Sequence, residues 1–180
     1  MSVKDRVSWK TEWEIHRFRD PSGQIAELLK AGASLESVVA EYPKLFRGVE
    51  TFEDNVALNE GLQELIDHIC GIGTPVKWDN TNARLGVGDS NAAENPTQTG
   101  LQAATNKTYK AMDANYPQKS GQTAEWRSTF GTGDANYAWE EYTVVNAADD
   151  AGKNLNRKTA SKGTKASGET WTLSLKITFS

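Results

Sequence analysis

Apolar and polar residues alternate along "VSWKTEWEIHRFR", residues 7 to 19, placing Val7, Trp9, Thr11, Trp13 and Ile15 on one side and charged residues on the other. A period of two predicts an extended strand. The turn "DPSG" follows, and the period then lengthens: Ile25, Leu28 and Leu29 stand at helical spacing and stop at Gly32. Ser34 is placed to cap a second short helix, "LESVVAEY", which Pro43 ends. The clearest helical stretch is "DNVALNEGLQELIDHICG", with Leu58, Leu62, Leu65, Ile66 and Ile69 on one face and Gly71 and Gly73 as the stop. Gly61 inside it costs about 1 kcal/mol relative to Ala, which argues for a close packing contact.

The second half changes character. "QTAEWRSTF" alternates Ala124, Trp126, Ser128 and Phe130; "YAWEEYTVV" follows a turn; "ETWTLSLKITF" sets Trp171, Leu173, Leu175, Ile177 and Phe179 against five polar partners. With the runs near Leu85, from Lys107 to Met112 and from Leu155 to Thr159, about six strands are expected, separated by Gly, Asn, Asp and Ser clusters. That spacing predicts an antiparallel sandwich or jelly-roll-like barrel. The fold class is therefore α+β, with an N-terminal strand and short helices in residues 1–54 and a helix plus β-body in residues 55–180. The last strand runs to Ser180, so removal of the C-terminus is expected to be damaging.

"GVGDSN" at 86–91 invites a phosphate-loop reading, but no helical period follows it and no Gly-Lys-Ser or Gly-Lys-Thr is present. The plainer reading is a strand ending in a turn. "GTGDAN" at 131–136 repeats it after another large apolar residue, as a repeated building device would. Asp89, Asn91, Asp134 and Asn136 could offer oxygens to calcium, but the further carboxylates of a calcium loop are missing.

Charge and composition narrow the partners. The net charge of −4 argues against nucleic acid, because a phosphate-binding surface needs clustered Lys and Arg. Residues 1–82 hold 9 basic against 14 acidic residues and residues 83–180 hold 11 against 10, a split that marks two segments with different surroundings. One cysteine, Cys70, cannot form an intramolecular disulfide. No run approaches a membrane span and "MSVKDRVSWK" lacks the apolar core of a signal peptide, so a cytosolic origin is expected.

Catalytic chemistry is thinly supplied. His16 and His68 are far apart in sequence; His68 and Cys70 point different ways on a helix; no metal-ligand spacing occurs. Glu140 and Glu141 are adjacent on a predicted strand and so face opposite sides, and their substitution is expected to leave function intact. Asp149 and Asp150 read as a solvated turn. Lys153, Arg157, Lys158, Lys162 and Lys165 form a basic stretch, read as a solvated loop or as a surface for an acidic neighbour. The six tryptophans need the most explanation: inward ones are core, outward ones contact anchors or a sugar platform.

The ordered run "NEGLQELI…TPVKWDNTNARLGVGDSNAAENPTQTGLQ…MDANYP…FGTGDANYAWEEYTVVNA…LNRKTASKGTKASGETWTLSLKITFS" resembles a family of small virion structural proteins of tailed bacteriophages, over about residues 55–180. "AWEEYTVVNA" is also similar to a strand of phage tail-fibre and collar proteins. The resemblance implies a non-enzymatic subunit of the particle exterior, made in the bacterial cytoplasm. It would have no cofactor, no metal, and no nucleic-acid or membrane partner. Capsid decoration or a minor capsid role is favoured over a tail or neck position. Its partners would be other virion proteins, in a homo-oligomer or symmetric array. Residues 1–54 would dock onto those neighbours, through Trp9, Trp13, Ile15 and Phe18. The alternative is a glycan-binding host-recognition module with Trp78, Tyr116 or Tyr137 exposed; a small hydrolase would need convergent carboxylates.

Overall fold

The computed structural model describes residues 8–180; Val7 of the predicted first strand lies outside them. The alternation that begins the sequence becomes β1 (Trp9–Arg19). Two seven-residue helices follow, α1 (Gln24–Lys30) and α2 (Leu35–Glu41), the second capped as expected by the Ser34 hydroxyl accepting from Ser37 N–H at 3.1 Å. Then come β2 (Phe46–Glu53), β3 (Val56–Ala57) and α3 (Asn59–Cys70). The remainder is strand: β4 (Arg84–Gly88), β5 (Lys107–Ala111), β6 (Gln118–Ser120), β7 (Thr123–Phe130), β8 (Glu141–Val145), β9 (Asn156–Thr159) and β10 (Glu169–Phe179).

These strands form two five-stranded sheets, ordered β2-β1-β10-β7-β6 and β3-β9-β8-β4-β5, with antiparallel pairing throughout. The expected α+β sandwich is what the chain adopts. Its first 54 residues are not set apart from it, however. β1 pairs with β10 from Trp9↔Phe179 to Arg19↔Glu169, and β2 extends the same sheet. Both β1 and β10 have sheet neighbours on each side, so their backbone polar groups are consumed within the chain.

The inward residues of both sheets make the core. Trp13, Ile15, Leu173, Leu175, Ile177 and Phe130 from the first sheet meet Leu85, Val87, Tyr142 and Val144 from the second. Trp139 lies edge-on to Phe130 at 4.8 Å and to Trp171 at 4.9 Å, contacts worth about 0.5–1.5 kcal/mol each beyond burial. Alternation places Phe18 on the face of β1 opposite Trp13 and Ile15, and the β-bulge that follows Arg17 falls on β2, where Arg47 is the extra residue. Phe18 joins Ile25, Leu29 and Val38 in a second, smaller core beneath α1 and α2. Thus the predicted contact residues Trp13, Ile15 and Phe18 are all fully buried inside the chain. The reason is tertiary: the inward side of β1 is covered by this chain's own second sheet, and the two short helices cover Phe18.

α3 lies against Asn154 and Leu155, just before β9, through Gly61, the only residue of the helix that is fully enclosed. A Cβ there would sit 2.5 Å from Leu155 Cα and 2.6 Å from the Asn154 carbonyl oxygen, both backbone atoms that cannot swing aside. Gly61→Ala gains about 1 kcal/mol in helix propensity but incurs overpacking of about 1–3 kcal/mol. We expect a net loss of stability, read as a lower urea midpoint with reduced amide protection confined to α3; a rise in the midpoint would show that α3 and the Asn154–Leu155 backbone are not in close contact.

Candidate functional site

Two surfaces remain once the core is assembled. The first is the outer side of α3. Burial of Leu58 and Gly61 on the sandwich orients the helix so that much of its apolar stripe faces away. Leu62, Ile66 and Ile69 are 41, 55 and 79% exposed, and the loop after the helix adds Ile72 and Val76. Leu62 also joins Trp9, Asn55, Ala57 and Phe179 around a shallow groove of about 440 Å³. These residues share one face as their spacing predicts, yet much of that face is uncovered, because a 3.6-residue period states which residues share a face and not how much of it is covered. Of the four predicted contact residues, Trp9 alone retains exposed surface, and it lies on this band.

The second surface is a polar cleft of about 550 Å³ between the outer face of the first sheet and the α1–α2 corner. Pairing register lines up Glu14, Ser174 and Arg127 across β1, β10 and β7, and beside them Glu12, Lys176 and Glu125. Arg127, 2% exposed, is fixed by Asp113 at 2.8 Å and by donation to the Leu29 and Ala33 carbonyls at 3.0 Å each. It therefore ties the end of α1 to the sheet. His16 Nδ1 lies 3.1 Å from Glu14 Oε1 without hydrogen-bond alignment. Burial lowers the His16 pKa, with Glu14 opposing, while burial raises that of Glu125. Burial would lower the Lys176 pKa, but Glu125, Glu14 and Glu12 outweigh it and raise it. The sequence carried one part of this signal, the charged side of β1; the strands that complete the cleft come from more than 100 residues away.

Other candidates resolve into structure. Glu141 is fully buried, pairs with Arg157 at 2.8 Å, and accepts from Gln102 and Ala103 N–H at 2.8 and 2.7 Å. It holds the long loop after "GVGDSN" on the sheet, and Gly88 is glycine because a Cβ would run into the Glu141 side chain. The repeated motif serves close approach in its first copy, at Gly86 and Gly88, but not at Gly133 of the second, where a Cβ would meet nothing within 4 Å. Its second copy places Asp134 to accept from Gly131 N–H at 2.8 Å and from Lys110 at 2.6 Å.

Two residues of the basic stretch are corrected: Arg157 and Lys165 are fully buried, the latter donating to the Gly131 carbonyl at 2.7 Å and Asn136 Oδ1 at 2.9 Å. The glycan candidates fare unequally. Trp78 is only 8% exposed and its carbonyl accepts from Trp126 Nε1; Tyr137 is half-buried and bonded to Thr108; Tyr116 lines the polar cleft beneath the Arg127 guanidinium. Among the described residues, no group of three or more His, Cys, Asp or Glu is placed to hold a metal ion, and no helix is long and apolar enough to cross a membrane.

Comparison with protein-family models, curated proteins and solved structures gives no match to this chain.

Two outcomes test these assignments. Glu141→Gln leaves the buried Arg157 charge uncompensated, so a loss of about 3–5 kcal/mol is expected on urea unfolding. A loss below about 1 kcal/mol would show that the pair does not order the loop. Lys165 is the second case: burial lowers its pKa from 10.5 to about 8. The native state then sheds its proton first, the unfolded chain binds more protons, and stability rises with pH from about 8 toward 10. Tyr137, with its pKa raised by burial to about 12, acts in the opposite direction only above about pH 10, where the unfolded phenol ionises. Lys165→Met should abolish the rise in urea midpoint across that window.

Proposed function

We propose that this protein is a non-enzymatic structural subunit of a tailed-phage particle, whose work is to bind neighbouring virion proteins on the particle exterior. The observation that carries this reading is the uncovered apolar band of α3 and its following loop on an otherwise well-closed sandwich. Water-exposed isoleucines in a contiguous row are costly to solubility, and such patches mark contact surfaces. Leu62, Ile66, Ile69 and Ile72 make the band, and Trp9 with Phe179 extends it to the end of the first sheet. The resemblance of residues 55–180 to virion structural proteins supports the same reading from the sequence side and supplies the occupant: a neighbouring virion subunit, major capsid protein first.

Chemistry of the band constrains that partner. Asp54 precedes Asn55 of the groove and Asp67 lies on α3 between Ile66 and Ile69, while Glu53 is paired with Lys10, so a partner face with an apolar centre and basic groups at its rim fits the band. Decoration of the capsid, or a minor capsid role, is the favoured position, with many copies arrayed by the symmetry of the shell. The protein would be made in the bacterial cytoplasm and function in the virion.

Ile66→Lys with Ile69→Lys separates assembly from folding. Both side chains are more than half exposed and a lysine in the last turn suits the helix dipole, so stability should shift by no more than about 0.5 kcal/mol. Quantitative mass spectrometry of purified particles should find the wild-type chain at high copy number relative to the major capsid protein and the double variant lost from them. A handful of wild-type copies would move the subunit to the tail or neck. Absence of the wild-type chain from particles, or full incorporation of the double variant, would overturn the proposal.

A further inference from the structure

A sheet edge exposes backbone donors and acceptors, and a long open edge is a template for another strand. Of the four edge strands, β6 and β3 are three and two residues long, and β5 carries Lys107 and Lys110, charges of the kind that discourage pairing. β2, eight residues without proline or lysine, has no such protection. Which of its groups are open follows from the ladder. Ser8 and Ser180 exchange both backbone hydrogen bonds, at 2.6 and 3.0 Å, so even positions of β1 bond to β10 and odd ones to β2. Arg19 N–H, which donates to the Leu45 carbonyl at 2.8 Å, keeps to that rule. In register, Trp13, Ile15 and Arg17 therefore take up the backbone groups of Phe52, Glu50 and Gly48. Val49, Thr51 and Glu53 turn theirs outward, where nothing bonds them among the described residues. Their side chains are exposed too, Val49 by 52%.

We propose that β2 pairs with β2 of a second copy of this chain, antiparallel about a two-fold axis at Glu50, so that two five-stranded sheets join edge to edge. Because the open groups sit on odd positions, the axis passes through a residue and not between two, and the central choices are Val49 and Glu50. An axis at Val49 sets Arg47 against Thr51 and Glu53 against Leu45. An axis at Glu50 sets Arg47 against Glu53 of the second copy and Val49 against its Thr51, each pair twice and all on one exposed face. Val49 and Thr51 then exchange four backbone hydrogen bonds across the axis. On the other face Phe52 falls opposite Gly48, where a Cβ would meet nothing within 4 Å. The two Glu50 carboxylates meet at the axis, but each is already held by Arg17 at 2.8 Å and Lys162 at 2.7 Å, so neither is a bare charge. The exposed contact of Glu53 with Lys10, 3.2 Å, is too weak to compete. The bulge at Arg47 lies at the start of the strand and leaves Gly48 to Glu53 regular. The charge pattern reverses about Glu50, and a second copy supplies that reversal by symmetry. β2 contributes no residue to the groove beside α3, and the pairing does not rest on the virion reading.

Sedimentation velocity of the full chain should show dimer growing with concentration between about 1 μM and 1 mM, the range of small transient interfaces. As dimer forms, hydrogen exchange should slow at the amides of Val49 and Thr51 and stay unchanged at Gly48, Glu50 and Phe52, which β1 already bonds. Arg47→Glu and Glu53→Arg each set like charges opposite one another twice, so each should weaken the dimer about tenfold. Both side chains are exposed, and the monomer's urea midpoint should hardly move. An equimolar mixture of the two variants restores opposite charges across the axis and should recover wild-type affinity as a heterodimer. Thr51→Pro removes an outward N–H that β1 does not use, so that variant should fold and remain monomeric. Ile66→Lys with Ile69→Lys, on the α3 band, should dimerise as the wild type does. The proposal is overturned by a chain monomeric throughout the range, by a dimer that the α3 variant abolishes or that leaves Val49 and Thr51 unprotected, or by a variant mixture no tighter than its components.

Discussion

Everything in this fold hangs on the pairing of β1 with β10, eleven residues to a side, joining the two ends of the described chain. Closing a loop of some 150 residues costs chain entropy that grows only logarithmically with length, and the pairing returns a full ladder of backbone hydrogen bonds and a shared apolar surface. Trp13 and Ile15 face Leu175 and Leu173 on the inner side, so the two strands supply the centre of the core as a unit. β2 adds to one flank and β7 to the other, and the second sheet then has a surface to pack against. Without that pairing there is no first sheet, no cleft on its outer face, and no enclosed site for the tryptophans.

Buried charge does the fine positioning. Arg127 with Asp113 fixes α1 to β7, and Arg157 with Glu141 fixes the long loop after β4 to the second sheet. Ion pairs so deeply enclosed are weak sources of net stability, since desolvation offsets most of their attraction. Their value is in geometry. Each guanidinium also donates to backbone carbonyls, Leu29 and Ala33 in one case and Ala92 in the other, and so places irregular segments that no apolar pattern would specify. The cleft owes its wall to the first of these anchors, because α2 stands over the sheet only where the α1–α2 corner is held.

The two surfaces left by the core differ in physical kind. On α3 the driving force would be apolar area, non-directional and roughly proportional to what a partner covers. The cleft instead presents polar and charged groups held by the strand register and by the Arg127–Asp113 pair. One chain can carry both because they use different elements, α3 with the ends of β1 and β10 for the first and the outer face of β1, β10 and β7 for the second.

What the sequence determined by itself is local periodicity. β1, β7 and β10 are legible from alternation, α1, α2 and α3 from helical spacing and their stops, and the close approach at Gly61 from a glycine where a helix would otherwise prefer alanine. The α+β sandwich follows from counting such elements. The tertiary structure alone decided which faces are covered. Trp13, Ile15 and Phe18 read as contact residues because an amphipathic strand near a terminus carries no mark of its partner, and that partner, β10, lies at the other end of the chain. Arg157 and Lys165 read as solvated because charge in a turn-rich stretch is solvated unless a distant carboxylate or carbonyl is brought to it, as Glu141 and Gly131 are. The cleft was invisible for the same reason: its residues are polar positions of ordinary strands, and only the strand order β1-β10-β7 brings Glu14, Ser174 and Arg127 into one row. Periodicity is a property of neighbours in sequence, whereas burial and convergence are properties of neighbours in space.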